Sequence, residues 1–173
     1  MAAIDEKLVE YIDDAYAMEQ NVLRMLDGMI ATTKDQQMRR LLERHKKETE
    51  RHAHRLLERL HEHGAPPSAL KEAGGVVGAL MKGVADKARG DKPGRNARDG
   101  YATEHMEIAS YELLERVAKL AGDSETAAVA RKNREEEEAM ARAIAAKWKK
   151  VVELTLKEED IRVPSRAVRK RAR

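Results

Sequence analysis

The 173-residue sequence has no cysteine and no phenylalanine, and it holds only four prolines, four tyrosines and one tryptophan. Without cysteine there can be no disulfide and no thiolate metal ligand. Without phenylalanine, the core must be built from Leu, Val, Ile, Met and Ala, side chains that helices accommodate. Scarce proline leaves room for long uninterrupted helices, and a charged fraction of 38% fits helices with solvated outer faces. No stretch approaches the ~20 consecutive apolar residues of a membrane span. The opening residues MAAIDEKLVEYIDDAY carry acids where a secretory signal needs a basic start and an apolar run. The expectation is a cytoplasmic protein with no membrane partner, and the length fits one domain.

The net charge of +3 is unevenly spread. Residues 161–173, IRVPSRAVRKRAR, hold six Arg/Lys and no acid, so the rest of the chain is net acidic. Residues 1–160 are therefore read as the folded domain and 161–173 as a basic, flexible tail. Such a tail could bind nucleic acid or another polyanion, but it lacks interleaved aromatics, and this ranks last among the functional readings.

Apolar periodicity predicts four main helices. The first runs from about Ile4 to Ile30 on a stripe through Leu8, Ile12, Val22 and Leu26. The second runs from about Lys34 to His63, opened by Thr33 and Gln36 at capping-box spacing and closed by Gly64 and Pro66-Pro67. The third spans about Ala97 to Ala121, and the fourth runs from Asp123 or Ser124 to about Lys157. Between the second and third lie some thirty residues, with a short Gly-interrupted helical pattern and then the turn-rich RGDKPGRN. Two antiparallel helix pairs joined by a long connection make an all-α, ferritin-like four-helix bundle whose crossover carries a short extra helix.

Each helix interrupts its stripe with polar residues near its middle: Glu19 in the first, His45, Glu48 and His52 in the second, Glu104 and Glu107 in the third, and Glu136 in the fourth, counted seven after Val129. Glu19 to Glu48 and Glu107 to Glu136 are both separated by 29 residues, which places four carboxylates near one level if the hairpins are alike. Ionised carboxylates buried together are unfavourable unless cations offset them. Either Arg and Lys reach inward, or the carboxylates hold metal. Inward carboxylates with histidine are the ligand set of di-iron and di-manganese bundles. The usual Glu-x-x-His is absent here: the second helix reads His45-x-x-Glu48 in reverse order, and the fourth has no histidine. Which of His45 and His52 is a ligand stays open. Tyr16 and Tyr111, a turn from Glu19 and Glu107, read as core-rim tyrosines; His61 and His63 read as exposed.

The segments YIDDAYAMEQNVLRML, RHKKETERHAHRL and GYATEHMEIASYELLERVA resemble the YciE/YciF-type ferritin-like family, bacterial proteins linked to stress responses. The resemblance covers about residues 5–155. It implies a ferritin-like fold, a homodimer, and a metal centre with Glu19, Glu48, Glu104, Glu107 and Glu136 as ligands and His45 as the nitrogen donor; two carboxylate-bridged cations, Fe or Mn, are the first functional hypothesis. Ferroxidase-like or peroxide-consuming chemistry is one expectation; a helical interaction module without metal is the alternative.

Overall fold

The computed structural model describes residues 3–68 and 92–163. The crossover helix expected within 69–91 and most of the basic tail lie outside the described residues. Among those described there are five helices and no strand: α1 (Ala3–Thr32), α2 (Gln36–Glu62), α3 (Lys92–Ala121), α4 (Ser124–Ala145) and α5 (Trp148–Glu158). The first four form the bundle. α1 packs on α2 and α3, α3 on α4 and α5, and α2 reaches α4.

Three boundaries differ from the sequence expectation, each for a local reason. Thr33 does not cap α2; its hydroxyl donates back to the Met29 carbonyl at 2.7 Å and belongs to the end of α1. Asp35 is the cap, its Oδ1 accepting from the Met38 amide at 2.9 Å. α3 begins at Lys92, five residues before Ala97, within what reads as loop. Pro93 causes no break, because in a helix's first turn its missing N–H is not needed. The expected fourth helix is two: the Lys147 amide bonds to Ile144 at 2.8 Å, a tightened last turn, and α5 restarts at Trp148. Trp148 then packs edge-on against Tyr101, ring centroids 5.5 Å apart.

The hairpin ends follow sequence. Gly64 and Gly122 have φ of +68° and +76°, left-handed conformations that glycine adopts without a Cβ clash. Beside Gly122, Arg59 ties the two hairpins together. It donates from Nε to Thr126 Oγ1 at 2.9 Å and from Nη1 to Glu125 at 2.6 Å, with Nη2 3.2 Å from Asp123. His63 joins at 2.9 Å from Asp123 and is half-buried, not exposed as its terminal position implied. Arg59→Ala should lower stability by about 2 kcal/mol, since it removes charge-assisted hydrogen bonds from a buried donor. Urea unfolding measures this; an unchanged midpoint would show the contact is idle.

The core divides at mid-height. Leu8, Ile12, Leu56, Leu60, Leu114 and Ala118 fill one half, and Leu26, Met29, Leu41, Leu42, Met140 and Ile144 the other. The polar residues lie between.

Candidate metal centre

Six ionisable side chains meet in that middle layer: Glu19 from α1, His45 and His52 from α2, Glu104 and Glu107 from α3, and Glu137 from α4, all buried. They form two groups whose ligand-capable atoms lie within 4.8 Å of one another: His45, Glu104, Glu107 and Glu137, and Glu19, His52 and Glu137. Glu137 belongs to both.

Of the residues singled out from sequence, Glu19, His45, His52, Glu104 and Glu107 are brought together. Glu48 and Glu136 are not. The inward stripe of α4 runs through Ala127, Ala130, Asn133, Glu137, Met140, Ala141 and Ile144. Counting from Val129, a partly buried residue, put the phase one residue off and chose Glu136. On α2 the inward residue at that level is Thr49, buried, while Glu48 stands to one side with its Oε2 3.5 Å from His45 Nδ1. The matched 29-residue spacings thus join Glu19 and Glu107 to residues that stand beside the cluster rather than in it. Ala130 was the available signal for Glu137: stepping three and seven from it gives Asn133 and Glu137.

Glu136 has a different position. Its Oε2 lies 2.6 Å from His52 Nε2 and accepts from Arg55 Nη1 at 2.9 Å. The other ring nitrogen, His52 Nδ1, faces the cluster, 2.7 Å from Glu137 Oε1 and 3.7 Å from Glu19 Oε1. Glu136 thus orients the imidazole from behind, the role outer carboxylates play for ligand histidines. Tyr111 is fully buried rather than at the rim. Its hydroxyl donates to Glu19 Oε1 and accepts from Asn133 Nδ2 at 3.1 Å. Asn133 Oδ1 in turn accepts from Arg55 at 2.6 Å.

The inner atoms lack such partners. His45 Nε2 is 3.2 Å from Glu104 and 3.6 Å from Glu137. Yet neither nitrogen of His45 nor Nδ1 of His52 makes an aligned hydrogen bond, and the same holds for both oxygens of Glu137 and for Glu104 Oε2 and Glu19 Oε2. Glu107 is the extreme case: fully buried, with neither carboxylate oxygen bonded. Among the described residues, Arg55 is engaged on Glu136 and Arg134 on Glu112 and Glu115, not on the inner carboxylates.

This crowding sets the protonation states. Burial, with Glu137, Glu19 and Glu104 nearby, pushes the Glu107 carboxyl well above its usual range. Burial raises Glu104 to about 8, partly offset by His45. Burial also raises Glu19, opposed by His52. Burial opposes charge on the histidines too, but Glu104 outweighs it at His45, and Glu137 and Glu19 outweigh it at His52, which rises to about 10. Burial likewise opposes charge on Glu137, and the imidazoles beside it prevail and keep it low. All the raised groups bind protons more tightly folded than unfolded. In metal-free protein, stability should therefore fall with rising pH, from 4.5 to about 8 through Glu104 and from 6.5 to about 10 through His52. Thermal melts in chelator should show a lower Tm at pH 9 than at pH 6; a rising Tm would contradict these states.

A four-helix bundle with this internal band of carboxylates and imidazoles is a ferritin-like protein by fold. The chain belongs to the family described as "Domain of unknown function (DUF892)", which matches residues 3–157. That is the YciE/YciF-type family, whose biochemical role is unknown. Its solved relatives include a protein of Xanthomonas campestris pv. campestris, 26% identical with a TM-score of 0.75 over 91% of this chain and 99% of that one. The Escherichia coli stress protein YciF is 19% identical, with a TM-score of 0.70 over 94% and 100% of the two chains. YcfI of Rhodopseudomonas palustris is 24% identical, with a TM-score of 0.72 over 84% and 94%. Among the described residues no helix is long and apolar enough to cross a membrane.

Proposed function

We propose that the middle layer binds two divalent first-row metal ions, iron or manganese, and that the protein is a ferritin-like metal-binding protein. The carrying observation is Glu107, a fully buried carboxylate with no hydrogen-bond partner on either oxygen among the described residues. Such a group is costly unless a cation comes to it. The charge count agrees. Four carboxylates (Glu19, Glu104, Glu107, Glu137) and two neutral imidazoles would balance two divalent cations, and Glu137, common to both groups, would be the shared ligand. Hard carboxylate oxygen with borderline imidazole nitrogen suits Fe and Mn, and the absence of thiolates argues against soft-metal selection. Bound iron or manganese would supply one-electron redox chemistry toward dioxygen or peroxide. Around it, Tyr111 fixes Glu19, and Glu136 with Arg55 fixes His52. The likeness to YciF, named a stress protein, supports placing such chemistry in a stress response.

The test is metal titration of chelator-treated protein with Fe(II) under anaerobic conditions and with Mn(II). About two ions per chain should bind, and Tm should rise. Without metal the same layer reaches neutrality only by taking up protons, so near pH 7 binding should release about four protons per pair of ions. Calorimetry in two buffers of different ionisation enthalpy reads that number. Absence of both binding and stabilisation would leave the helical interaction module as the surviving alternative.

A further inference from the structure

His45 and His52 lie on one face of α2, two turns apart, and both are buried. Their rings turn opposite ways. His45 presents Nε2 to the polar layer, 3.2 Å from Glu104 Oε1 and 3.6 Å from Glu137 Oε2. His52 presents Nδ1, 2.7 Å from Glu137 Oε1 and 3.7 Å from Glu19 Oε1. Glu137 therefore meets one imidazole with each of its oxygens.

The remaining nitrogen of each ring points outward to a carboxylate. His52 Nε2 lies 2.6 Å from Glu136 Oε2, and Glu136 is itself held by Arg55. His45 Nδ1 lies 3.5 Å from Glu48 Oε2. The two outer carboxylates are alike in exposure, 28% for Glu136 and 26% for Glu48. They differ in origin: Glu136 reaches across from α4, while Glu48 follows His45 by one turn of α2 itself. The reversed order of His45-x-x-Glu48 thus sets the carboxylate behind its histidine. His45 Nδ1 has no aligned hydrogen bond, and a buried N–H is costly until it finds an acceptor. Glu48, being partly exposed, can close the gap to the ~2.7–2.9 Å of a charge-assisted bond by turning its side chain.

A neutral imidazole offers one lone pair and one N–H, and the partner of the N–H decides which nitrogen is left to coordinate. We infer that the two histidines serve the layer through opposite nitrogens, His45 through Nε2 and His52 through Nδ1, with Glu48 the positioning residue that receives the Nδ1–H of His45. This assignment rests on the metal reading of the layer. Opposite use of the rings directs the two oxygens of Glu137 to different positions, which is what a carboxylate shared by two ions needs.

The experiment uses full-length, chelator-treated protein with isotope-labelled histidine, loaded with Zn(II), a diamagnetic probe that imidazole and carboxylate ligands also hold. Long-range proton–nitrogen correlation spectra should show His45 protonated at Nδ1 and coordinated at Nε2, and His52 the reverse. In Mn(II) titrations Glu48→Leu should bind ~10–100-fold more weakly than the parent, the loss expected for an outer carboxylate, with about two ions still bound at saturation. Glu48→Gln keeps a carbonyl acceptor for the Nδ1–H and should restore most of the affinity. A structural role alone would shift the urea midpoint of Glu48→Leu and leave its Mn(II) affinity in place. The parent spectrum decides the question should Glu48→Leu fail to fold by circular dichroism. Coordination of both histidines through the same nitrogen, or parent-like Mn(II) affinity in folded Glu48→Leu, would overturn this assignment and leave the metal layer standing. Failure of the parent to bind either ion would overturn both.

Discussion

Glu137→Gln should abolish metal binding at both positions, while Glu136→Gln, its neighbour in the same acidic run, should leave about two ions bound with weakened affinity. Glu137 is common to both ligand groups, whereas Glu136 touches only the back of His52. Losing a carboxylate that orients a ligand histidine costs ~10–100-fold in affinity; losing a shared ligand removes the site. The two variants should also part in stability without metal. Glu137 is the anion that His45 and His52 both face, and its removal leaves buried imidazolium short of a counter-charge. Breaking a buried pair from one side costs about 3–5 kcal/mol. Glu136 is partly exposed and should cost about 1 kcal/mol or less on the surface-pair scale. Elemental analysis and denaturant melts of both variants read the contrast. Retention of metal by Glu137→Gln with loss in Glu136→Gln would return the fourth-helix ligand to the one the Val129 count chose.

Glu107→Met should have the opposite sign. The side chains are of similar length, and neither oxygen of Glu107 has a bond to lose. Replacing an unpartnered buried acid by a flexible apolar chain should stabilise the metal-free protein by about 1–4 kcal/mol, the range seen when buried charge gives way to packed apolar groups. The gain should grow as pH rises from about 4.5, where the unfolded carboxyl ionises while the buried one still holds its proton, and should vanish at lower pH. The same variant should lose metal and the metal-dependent rise in Tm. A protein more stable empty and unable to bind is the signature of a residue kept for its ligand. A destabilised Glu107→Met would instead assign Glu107 to holding the fold.

The helices were legible in the sequence because large apolar residues mark their phase. Leu8, Ile12, Val22 and Leu26 leave little choice for α1, and Glu19 follows from them. On α3 Tyr111 and Leu114 mark the same face, and Glu104 and Glu107 fall on it. α4 was harder because its inward residues near the site are Ala127, Ala130 and Asn133. Alanine carries almost no phase information in an alanine-rich, charged helix, so Val129 drew the count to the wrong side and Glu136 with it. Glu48 failed differently: a His-x-x-Glu pair lies on adjacent rows of one face, and only packing decided that Thr49 rather than Glu48 sits innermost. The break before Trp148 had no proline or glycine to announce it. Tyr111 was read as a rim residue because periodicity gives the face of a helix but not the depth.

The division of the core into two apolar halves by one polar layer bears on how the helices find their alignment. Leucine and methionine layers are interchangeable: a helix that slides by one turn, ~5.4 Å, exchanges one apolar contact for another at little cost. The polar layer is not interchangeable. The same slide in α3 or α4 would carry Glu107 or Glu137 among Leu26, Leu41 and Ile144 or among Leu56 and Leu60, away from the imidazoles. Stranding a polar group there costs several kcal/mol, more than most single apolar contacts return. The carboxylates and histidines thus act as a key that admits one vertical register for all four helices, whether or not an ion is present.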